Sequence, residues 1–347
     1  MKKRFTYKEA GVDIDIADKA KDKIKSIVRK TFTKGVLCDI GKFGGFFRFN
    51  YKDYKNPVLI SSVDGVGTKL KIASLLKKYD TVGIDLVNHC VNDILVHGAK
   101  PLFFLDYIAM AKAEPNVVVD IVKGLTTACK LERCALIGGE TAQMPDIYEE
   151  GDFDLVGLIV GVVEKNEIID GRDIKIGDKI IGLPSNGLHT NGYTLVRKLF
   201  FEKKKYRVND FIPELKTTLG RELLKPHKSY SKIIFKLIRK FTIKGIAHIT
   251  GGGFLDNIPR ILPKDVSVII KKDTWRILPI FNLVRRLGNL DDLEMFRTFN
   301  MGIGMVLVVS DKESSKIISY LNEVDEKAYE IGEIVGFKGG GNKVILL

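Results

Sequence analysis

The sequence has 347 residues, of which 45% are hydrophobic and 29% charged, a composition that is typical of a globular protein and excludes a disordered or fibrous one. No apolar stretch approaches the roughly 20 residues that a bilayer span needs, and no apolar segment follows the basic N-terminus, so we expect a cytoplasmic protein with no membrane partner. The net charge of +13 allows an anionic partner, but the lysines are spread along the chain without interleaved aromatic residues, which favours a solvated surface over a nucleic-acid groove.

The first half of the chain is predicted to alternate between strands and amphipathic helices. The apolar run 101–110 is typical of a strand that is buried on both faces. In chain order, the predicted elements are strand 57–63, helix 68–79, helix 85–97, strand 101–110, helix 117–130, strand 134–137 and strand 154–163.

A polar, turn-rich passage follows over residues 164–178, and we place the domain boundary within it. Residues 1–168 are predicted to form the N-terminal domain and residues 169–347 the C-terminal domain. In the second half, the predicted elements are strand 179–183, helix 193–203, helix 230–241, strand 266–270, helix 279–287, strand 304–309, helix 313–322 and strand 328–335. The sequence therefore predicts a mixed α/β (α+β) fold of two domains.

The segment 61–69 combines a strand end, an acid, two glycines and a Thr-Lys pair that begins a helix. Phosphate binding needs such parts, namely backbone N–H groups at a helix N-terminus, a lysine charge and a hydroxyl. Asp64 favours phosphate carried with a metal, because Mg²⁺ takes carboxylate oxygens together with substrate phosphates. The segment is not a P-loop, because G-x-x-x-x-G-K-[ST] is absent from the chain. For the D-G-x-G pattern alone, an ordinary strand–turn–helix corner is the alternative.

Asp93 borders the apolar stripe of the helix predicted over 85–97. An acid in that position points partly inward and needs a partner, for which a metal is one candidate. His89 and His97 lie on the same edge, but they are two helical turns apart, about 12 Å, which is too far for one shared ion. We interpret both histidines as residues of the helix surface.

The segment 138–141, Gly-Gly-Glu-Thr, follows a predicted strand and repeats the pattern of glycines, acid and hydroxyl. Ligands of mixed α/β folds gather at the carboxyl ends of strands. Three acids, Asp64, Asp93 and Glu140, thus accompany glycine-rich turns in one half of the chain. Together they predict a metal–nucleotide site.

Two glycine-rich polar loops in the second half are candidates for a ribose-phosphate site. Residues 185–192 follow a strand and begin a helix, and residues 250–253 follow His248. Their backbone N–H groups could bind a phosphate, and Arg260 would add a bidentate donor. The alternative is that both are connecting loops and that His189 is a structural residue.

Taken together, these segments strongly resemble the aminoimidazole ribonucleotide synthetases, also called phosphoribosylformylglycinamidine cyclo-ligases. The matching segments are 7–15, 64–69, 90–94, 101–107, 138–141, 187–197, 248–260 and 294–302. So many ordered segments are far more specific than any one of them.

The resemblance implies ATP-dependent ring closure of formylglycinamidine ribonucleotide to 5-aminoimidazole ribonucleotide in purine biosynthesis, with release of ADP and phosphate. ATP would phosphorylate the formyl oxygen, after which a substrate nitrogen attacks the carbon. The expected cofactors are ATP and Mg²⁺. The expected assembly is a homodimer whose N-terminal sheets pair across the interface, without nucleic acid.

The resemblance also implies residue roles. ATP and its metal would be bound by Lys25, Gly41, Phe43, Gly44, Gly45, Asp64, Gly65, Gly67, Thr68, Lys69, Asp93, Gly138, Gly139, Glu140 and Thr141. The metal itself would be bound by Asp64, Asp93 and Glu140. The ribonucleotide would be bound by Ser185, Gly187, His189, Thr190, Asn191, Gly192, His248, Thr250, Gly251, Gly252, Gly253, Asn257 and Arg260. The catalytic residues would be Lys69, Asp93 and His189, the last as a candidate general base.

The sequence departs from the family pattern at a few positions, namely Cys38, Asp39, Lys42, His227 and Lys228. Selenophosphate synthetase and thiamine-monophosphate kinase share the combination of acids and glycines and are the alternatives within the superfamily. The loop around His189 favours the ligase. A basic nucleic-acid-binding protein is the alternative from a different class.

Overall fold

The computed structural model of the protein describes residue 6 and residues 22–112, 114–337 and 339–347. The family-like segment 7–15 lies outside these residues. The chain divides into two compact units. Unit 1 comprises the described residues of Met1–Ile94 and Lys100–Glu164, and unit 2 comprises those of Leu95–Ala99 and Lys165–Leu347. Among the residues that the structure describes, every helix is too short or too polar to cross a bilayer.

Unit 1 is built on a four-stranded sheet with the strand order β1-β4-β2-β3. The strands are β1 (Pro57–Gly65), β2 (Lys100–Met110), β3 (Ala135–Gln143) and β4 (Phe153–Glu164). The helices are α1, which includes residues 22–28, α2 (Leu70–Leu76), α3 (Asp80–Leu95) and α4 (Pro115–Leu131). β2 and β3 are parallel, whereas β4 pairs antiparallel with both β1 and β2.

The apolar stripe predicted for α3 is confirmed and packs on β4. Leu86 and Ile94 are fully buried, and they approach β4 at Gly157 and Gly161, where a Cβ would lie 3.0 Å and 2.5 Å from their methyl groups. Glycines therefore let the helix lie close to the sheet.

α3 and α4 also touch at glycines. A Cβ on Gly83 of α3 would lie 2.3 Å from the carbonyl oxygen of Ile121, and a Cβ on Gly124 of α4 would lie 1.9 Å from that of Asp80. No larger residue fits at either position without moving a backbone, so the two helices are in direct backbone contact.

The other face of the sheet is apolar and partly exposed. Val63 of β1 pairs with Leu158 of β4, and Leu158 pairs with Leu105 of β2, so that one apolar row crosses three strands. Val63 is 64% exposed and Leu158 is 37% exposed. The prediction that the run 101–110 is buried on both faces is therefore wrong for its first part, where Phe103 and Leu105 are only half-buried.

Unit 2 is built on a six-stranded sheet with the order β12-β9-β11-β5-β10-β8. Its strands are β5 (Lys179–Pro184), β8 (Ile243–His248), β9 (Val266–Ile270), β10 (Ile303–Val309), β11 (Tyr329–Gly336) and β12 (Val344–Leu346), and a separate pair is formed by β6 (Phe211–Ile212) and β7 (Thr217–Thr218). Its helices are α5 (Tyr193–Arg197), α6 (Leu219–Leu223), α7 (Ser231–Ile238), α8 (Gly253–Asn257), α9 (Pro279–Gly288), α10 (Asp292–Thr298) and α11 (Asp311–Glu323).

β10 is the centre of the unit 2 core. All its residues are buried, and it pairs antiparallel with β5 on one side and β8 on the other. β8 and β12 were not predicted from sequence, because β8 lacks clear alternation and β12 has only three residues. The helix predicted over 193–203 is divided into α5 and a π-helical turn, Lys198–Lys203.

Candidate functional site

A cavity of about 820 Å³ lies in unit 1, beside β2, β3, α1 and α4. The predicted nucleotide-binding residues that line it are Lys25, Gly41, Phe43, Gly44, Gly45, Gly138, Gly139, Glu140 and Thr141. The segment 138–141 is not a turn after a strand, as predicted, but part of β3. Glu140 and Thr141 nevertheless lie on the cavity wall and are exposed.

The glycine-rich loop over residues 38–46 is closed at its base and open at its tip. Val36 and Phe47 form an isolated bridge, and Leu37 N–H donates to the Phe46 carbonyl at 3.0 Å. At the tip, Phe43 is fully exposed, and a Cβ on Gly44 would meet no atom of the described residues within 4 Å. The tip thus has space to move over the cavity.

Asp106 is a cavity residue that the sequence interpretation missed. It lies on β2, half-buried, and burial raises its pKa from 3.8 to about 7, with a further contribution from the charge of Glu140. A Cβ on Gly139 would lie 2.4 Å from Asp106 Oδ1, so the glycine makes room for the carboxyl group. An acid inside the apolar run 101–110 was the available signal.

Asp106 belongs to a row of residues that crosses the whole sheet. Asp64 pairs with Gly157, Gly157 with Asp106, and Asp106 with Gly139. Three strand spacings separate the ends of this row, which is about 14 Å. Glu140 is one position further along β3, where side chains point to the opposite face. Asp64 and Glu140 of one chain therefore cannot bind the same Mg²⁺, whose ligands lie about 2.1 Å away.

Asp64 and Asp93 do lie together, on either side of His89. His89 Nε2 is 2.7 Å from Asp64 Oδ2 and 3.9 Å from Asp93 Oδ2, and Ser62 Oγ donates to Asp93 Oδ2 at 3.1 Å. Both carboxylates are partly exposed, whereas His89 is buried. The interpretation of His89 as a surface residue is therefore wrong. His97, also interpreted so, lies beyond α3, half-buried, with Nδ1 3.1 Å from the carbonyl oxygen of Ile169.

The charges of this group stabilise each other. Burial alone lowers the pKa of His89, but the hydrogen bond with Asp64 and the charges of Asp93 and Asp64 outweigh it, so the pKa is raised above 6.5. Burial alone raises the pKa of Asp64, but the hydrogen bond from His89 outweighs it and lowers the pKa below 3.8. Two accessible carboxylates and a hydroxyl are oxygen donors that fit a hard cation such as Mg²⁺.

Lys69 has surroundings different from those expected of a phosphate-binding lysine. Its side chain is fully buried, and Nζ donates to Asp85 Oδ1 at 2.8 Å. Burial lowers the pKa of Lys69, and Asp85 opposes that effect. The ammonium group is thus inside the protein, which argues against direct contact with phosphate. Thr68 and Gly67, by contrast, are exposed, and Gly67 has a left-handed φ of 68°.

In unit 2, loop 185–192 is held in place by Asn300, a residue that was not among the predicted site residues. Asn300 Nδ2 donates to the carbonyl oxygens of Gly187 at 3.0 Å and Leu188 at 3.2 Å. Asn300 Oδ1 accepts from Ser185 Oγ and from Gly302 N–H, each at 2.9 Å. Ser185 and Asn300 are both buried, so the side chain of Ser185 contributes to the order of the loop.

His189 lies below the surface of the same loop. Its side chain is buried, its backbone has a left-handed φ of 64°, and its ring stacks on that of His227 at 4.0 Å between centroids. Gly192 ends the loop with φ of 79°, and a Cβ there would lie 2.2 Å from the ring of Phe299. The side chain of His189 therefore faces the interior of unit 2.

The turn 250–253 is organised by Asn257. Its Nδ2 donates to the carbonyl oxygens of Gly251 at 3.1 Å and Gly253 at 2.7 Å, and its Oδ1 accepts from Thr250 Oγ1 at 3.3 Å. Asn257 is buried and thus positions the turn. Arg260, on the 3₁₀ turn that follows, is exposed.

The structure shows the contacts of three of the positions that depart from the family pattern. Asp39 forms an ion pair with Arg29 at the base of the glycine-rich loop. Lys228 Nζ is 3.2 Å from Glu326 Oε2. His227 is buried between His189 and His248, with Nε2 3.0 Å from His248 Nε2.

Both units match domains of known proteins. The N-terminal domain of the AIR synthase related proteins matches residues 51–163, and their C-terminal domain matches residues 175–344. Thiamine-monophosphate kinase from Stenotrophomonas maltophilia has a similar structure, with a TM-score of 0.65, 17% identity and 94% of each chain covered. Hydrogenase maturation protein HypE, in complex with ATP, has a TM-score of 0.66 and 13% identity, covering 94% of this chain and 90% of HypE. The chain thus has the two-domain AIR synthase fold.

Proteins with similar sequences define the family more narrowly than the structural neighbours do. Phosphoribosylformylglycinamidine cyclo-ligase of Thermoanaerobacter pseudethanolicus is 57% identical over 336 residues, which cover 97% of this chain and 99% of that protein. The enzyme of Alkaliphilus oremlandii is 52% identical over 343 residues, which cover 99% of this chain and 100% of that protein. The chain belongs to the phosphoribosylformylglycinamidine cyclo-ligase family of ligases, and the resemblance read from the sequence is confirmed.

Proposed function

We propose that the chain catalyses the ATP-dependent ring closure of formylglycinamidine ribonucleotide to 5-aminoimidazole ribonucleotide, in the cytoplasm, as a step of de novo purine biosynthesis. The observation that carries the proposal is the 57% identity to a cyclo-ligase over 97% of the chain. Thiamine-monophosphate kinase is 17% identical, which supports a shared fold and not a shared substrate.

ATP is proposed to bind in the cavity of unit 1. A volume of about 820 Å³ suits a nucleotide, and the cavity combines an apolar wall with backbone N–H groups of glycines and the ammonium group of Lys25. The glycine-rich loop with Phe43 would cover the nucleotide. Asp106, whose pKa of about 7 keeps a share of the carboxyl groups protonated at neutral pH, would offer the base or ribose a hydrogen-bond donor.

Magnesium is proposed to bind at carboxylates in two separate places. Asp64 and Asp93 would hold a cation at the corner after β1, and Glu140 would hold one at the cavity wall. Bound Mg²⁺ would offset the negative charge of the phosphates. Within one chain, the spacing of about 14 Å across the sheet requires that these are different ions.

The ribonucleotide is proposed to bind to unit 2. The backbone N–H groups of loop 185–192 and turn 250–253 would hold its phosphate and ribose, and the exposed guanidinium of Arg260 would pair with the phosphate. When bound, ATP would supply the phosphoryl group that turns the formyl oxygen into a leaving group. The chain would then act mainly by positioning the attacking nitrogen and stabilising charge. That His189 acts as the general base stays a prediction, because its ring lies beneath the loop and not on the surface that would bind the ribonucleotide.

The assembly is proposed to be a homodimer through the exposed face of the unit 1 sheet. The apolar row through Val63, Leu158 and Leu105 is partly exposed, although such residues are normally covered by a second layer. A second copy of the same face would cover it. Sedimentation of a stable, active monomer would contradict this part of the proposal.

The proposed activity is tested by incubating the protein with formylglycinamidine ribonucleotide and Mg-ATP. We expect the aminoimidazole product, ADP and phosphate in equal amounts. Asp64→Asn should remove at least about 99% of turnover, because a neutral amide binds Mg²⁺ poorly. Asp120→Asn, an exposed acid on α4 that pairs with Lys123, should retain turnover. Absence of product from the folded wild-type protein would overturn the proposed function.

A further inference from the structure

Three histidines from three separate segments meet inside unit 2. His189 follows β5, His227 precedes α7 and His248 ends β8, and their exposed fractions are 1%, 1% and 6%. The rings of His189 and His227 stack at 4.0 Å, and those of His227 and His248 have centroids 5.0 Å apart. One ring nitrogen of each residue lies within 4.8 Å of the others. We call these residues the histidine cluster.

The surrounding fold makes room for the cluster. A Cβ on Gly304 would lie 2.5 Å from His189 Cε1, so only glycine at this position of β10 leaves space for the ring. His189 has a left-handed φ of 64°, a conformation that is unfavourable for a residue with a side chain. Such strain at a buried polar residue is more typical of a functional site than of core packing.

The second nitrogen of His227 has a partner that orients the ring. Thr190 Oγ1 lies 3.4 Å from His227 Nδ1, while His227 Nε2 lies 3.0 Å from His248 Nε2. Histidine ligands of metals are commonly oriented in this way, with one nitrogen held by a neighbour and the other directed at the ion.

The distances and the chemistry of the donors suit a transition metal. Zn²⁺ binds three histidines at about 2.0–2.1 Å in tetrahedral sites, which places the nitrogens about 3.3 Å apart. His227 Nε2 and His248 Nε2 are 3.0 Å apart, and the three nitrogens all lie within 4.8 Å of one another, so reorientation of the ring of His189 would bring the set to this spacing. Imidazole nitrogens select metals such as Zn²⁺, Ni²⁺ and Cu²⁺, whereas Mg²⁺ prefers oxygen.

We propose that His189, His227 and His248 form a binding site for a divalent transition metal, with Zn²⁺ as the representative ion. This site differs in donor type from the magnesium positions proposed in unit 1, whose ligands are carboxylate oxygens. A bound ion would join loop 185–192 to the end of β8 through side chains. Its existence requires neither ATP nor the ribonucleotide.

The test titrates the chelator-treated, full-length protein with Co²⁺, followed by visible absorption, and then with Zn²⁺, followed by calorimetry. No nucleotide or ribonucleotide is added, so the result is independent of the proposed ligase activity. We expect one ion per chain, a tetrahedral Co²⁺ spectrum and its loss when Zn²⁺ is added. Absence of saturable binding to the folded wild-type protein would overturn the proposal.

Variants locate the site. His227→Gln should weaken Zn²⁺ binding by at least about 100-fold. Even the loss of a residue that only hydrogen-bonds to a metal ligand lowers metal affinity about ten- to a hundredfold. The matched control is His97→Gln, a half-buried histidine of the same unit that contacts Ile169, and it should bind Zn²⁺ like the wild type. Equal loss in both variants, or in neither, would contradict the assignment.

A measurement on the wild type alone tests the proposal even if a variant fails to fold. X-ray absorption of the Zn²⁺ complex should show nitrogen and oxygen ligands at about 2.0–2.1 Å, with the signature of imidazole rings. Sulfur ligands at about 2.3 Å would place the ion on cysteines and overturn the proposal.

Discussion

Two loops of this protein that both contain glycines have opposite packing. In unit 1, the tip of loop 38–46 is open: a Cβ on Gly44 would meet no atom of the described residues within 4 Å. In unit 2, loop 185–192 is tightly packed: a Cβ on Gly192 would lie 2.2 Å from Phe299, and Asn300 binds three groups of the loop. Glycine therefore marks freedom of the backbone in one place and lack of space in the other.

The largest expected difference between the two loops is in stability. Gly192→Ala should lower the free energy of unfolding by about 3–5 kcal/mol, because the methyl group meets a buried ring and the left-handed φ is unfavourable for alanine. Gly44→Ala should change it by less than about 0.5 kcal/mol. Denaturant unfolding of both variants measures this difference, and equal values would show that the two loops do not differ in packing.

The next effect concerns the residue that holds the packed loop. Asn300→Ala should lower the free energy of unfolding by about 2–4 kcal/mol, because the buried carbonyl of Leu188 and the buried N–H of Gly302 lose the hydrogen bonds that Asn300 makes. Asn186→Ala is the control, since Asn186 is exposed and donates to the carbonyl of Pro226. The same unfolding experiment applies, and a loss below that of the control would contradict the role of Asn300.

The cavity below the open loop should make the stability of the protein depend on pH. Asp106 ionises near pH 7 in the folded protein but near its ordinary pKa of 3.8 in the unfolded chain. The folded state therefore binds more protons between these values, and stability falls as pH rises through that window. Asp106→Asn should be more stable than the wild type at pH 8 by on the order of 2 kcal/mol, with the advantage vanishing near pH 4.

Thermal unfolding at pH 4, 6 and 8, without ligands, measures this trend, with the exposed Asp120→Asn as control. A difference between Asp106→Asn and the wild type that is the same at every pH would show that the carboxyl group of Asp106 ionises normally.

The smallest effect concerns the open tip itself. Phe43→Ser should leave stability within about 0.5 kcal/mol of the wild type, because Phe43 is fully exposed. If the loop covers ATP, the variant should bind Mg-ATP about fivefold more weakly, the equivalent of about 1 kcal/mol of apolar contact. Leu131→Ser, an exposed apolar residue at the end of α4, should bind like the wild type in calorimetric titration. Unchanged affinity of the Phe43 variant would remove the loop from the nucleotide site.

Local patterns in the sequence predicted much of the fold. The stripe on α3, the corner after β1 and the strands β4, β5 and β9 follow from periodicity and turn residues, which depend on neighbours in the chain. The segment 138–141 was misinterpreted, since Gly-Gly indicates a turn but here continues β3 in register with β2. Pairing across the sheet decided its conformation, and local spacing does not contain that pairing.

The site residues that were missed or misinterpreted depend on long-range contacts. The stripe of α3 places His89 near the apolar edge, but only the position of β1 shows that Asp64 lies 2.7 Å away. Asn300 holds Ser185, although 115 positions separate them in the chain. Lys69 has the sequence neighbours of a phosphate ligand, yet Asp85 binds it in the interior. Residue type and spacing suggested the chemistry, while the fold determined which groups meet.

The corner after β1 has a mechanical consequence. Asp64 at its beginning is bound to His89, and Lys69 at its end is bound to Asp85, so both ends are fastened to successive turns of α3. We therefore expect the corner and the helix to shift together when a ligand binds at Asp64. α3 touches α4 at Gly124, and α4 forms part of the cavity wall, so a continuous chain of contacts joins Asp64 to the cavity. Occupancy at one end of the sheet would thus change the shape of the pocket at the other.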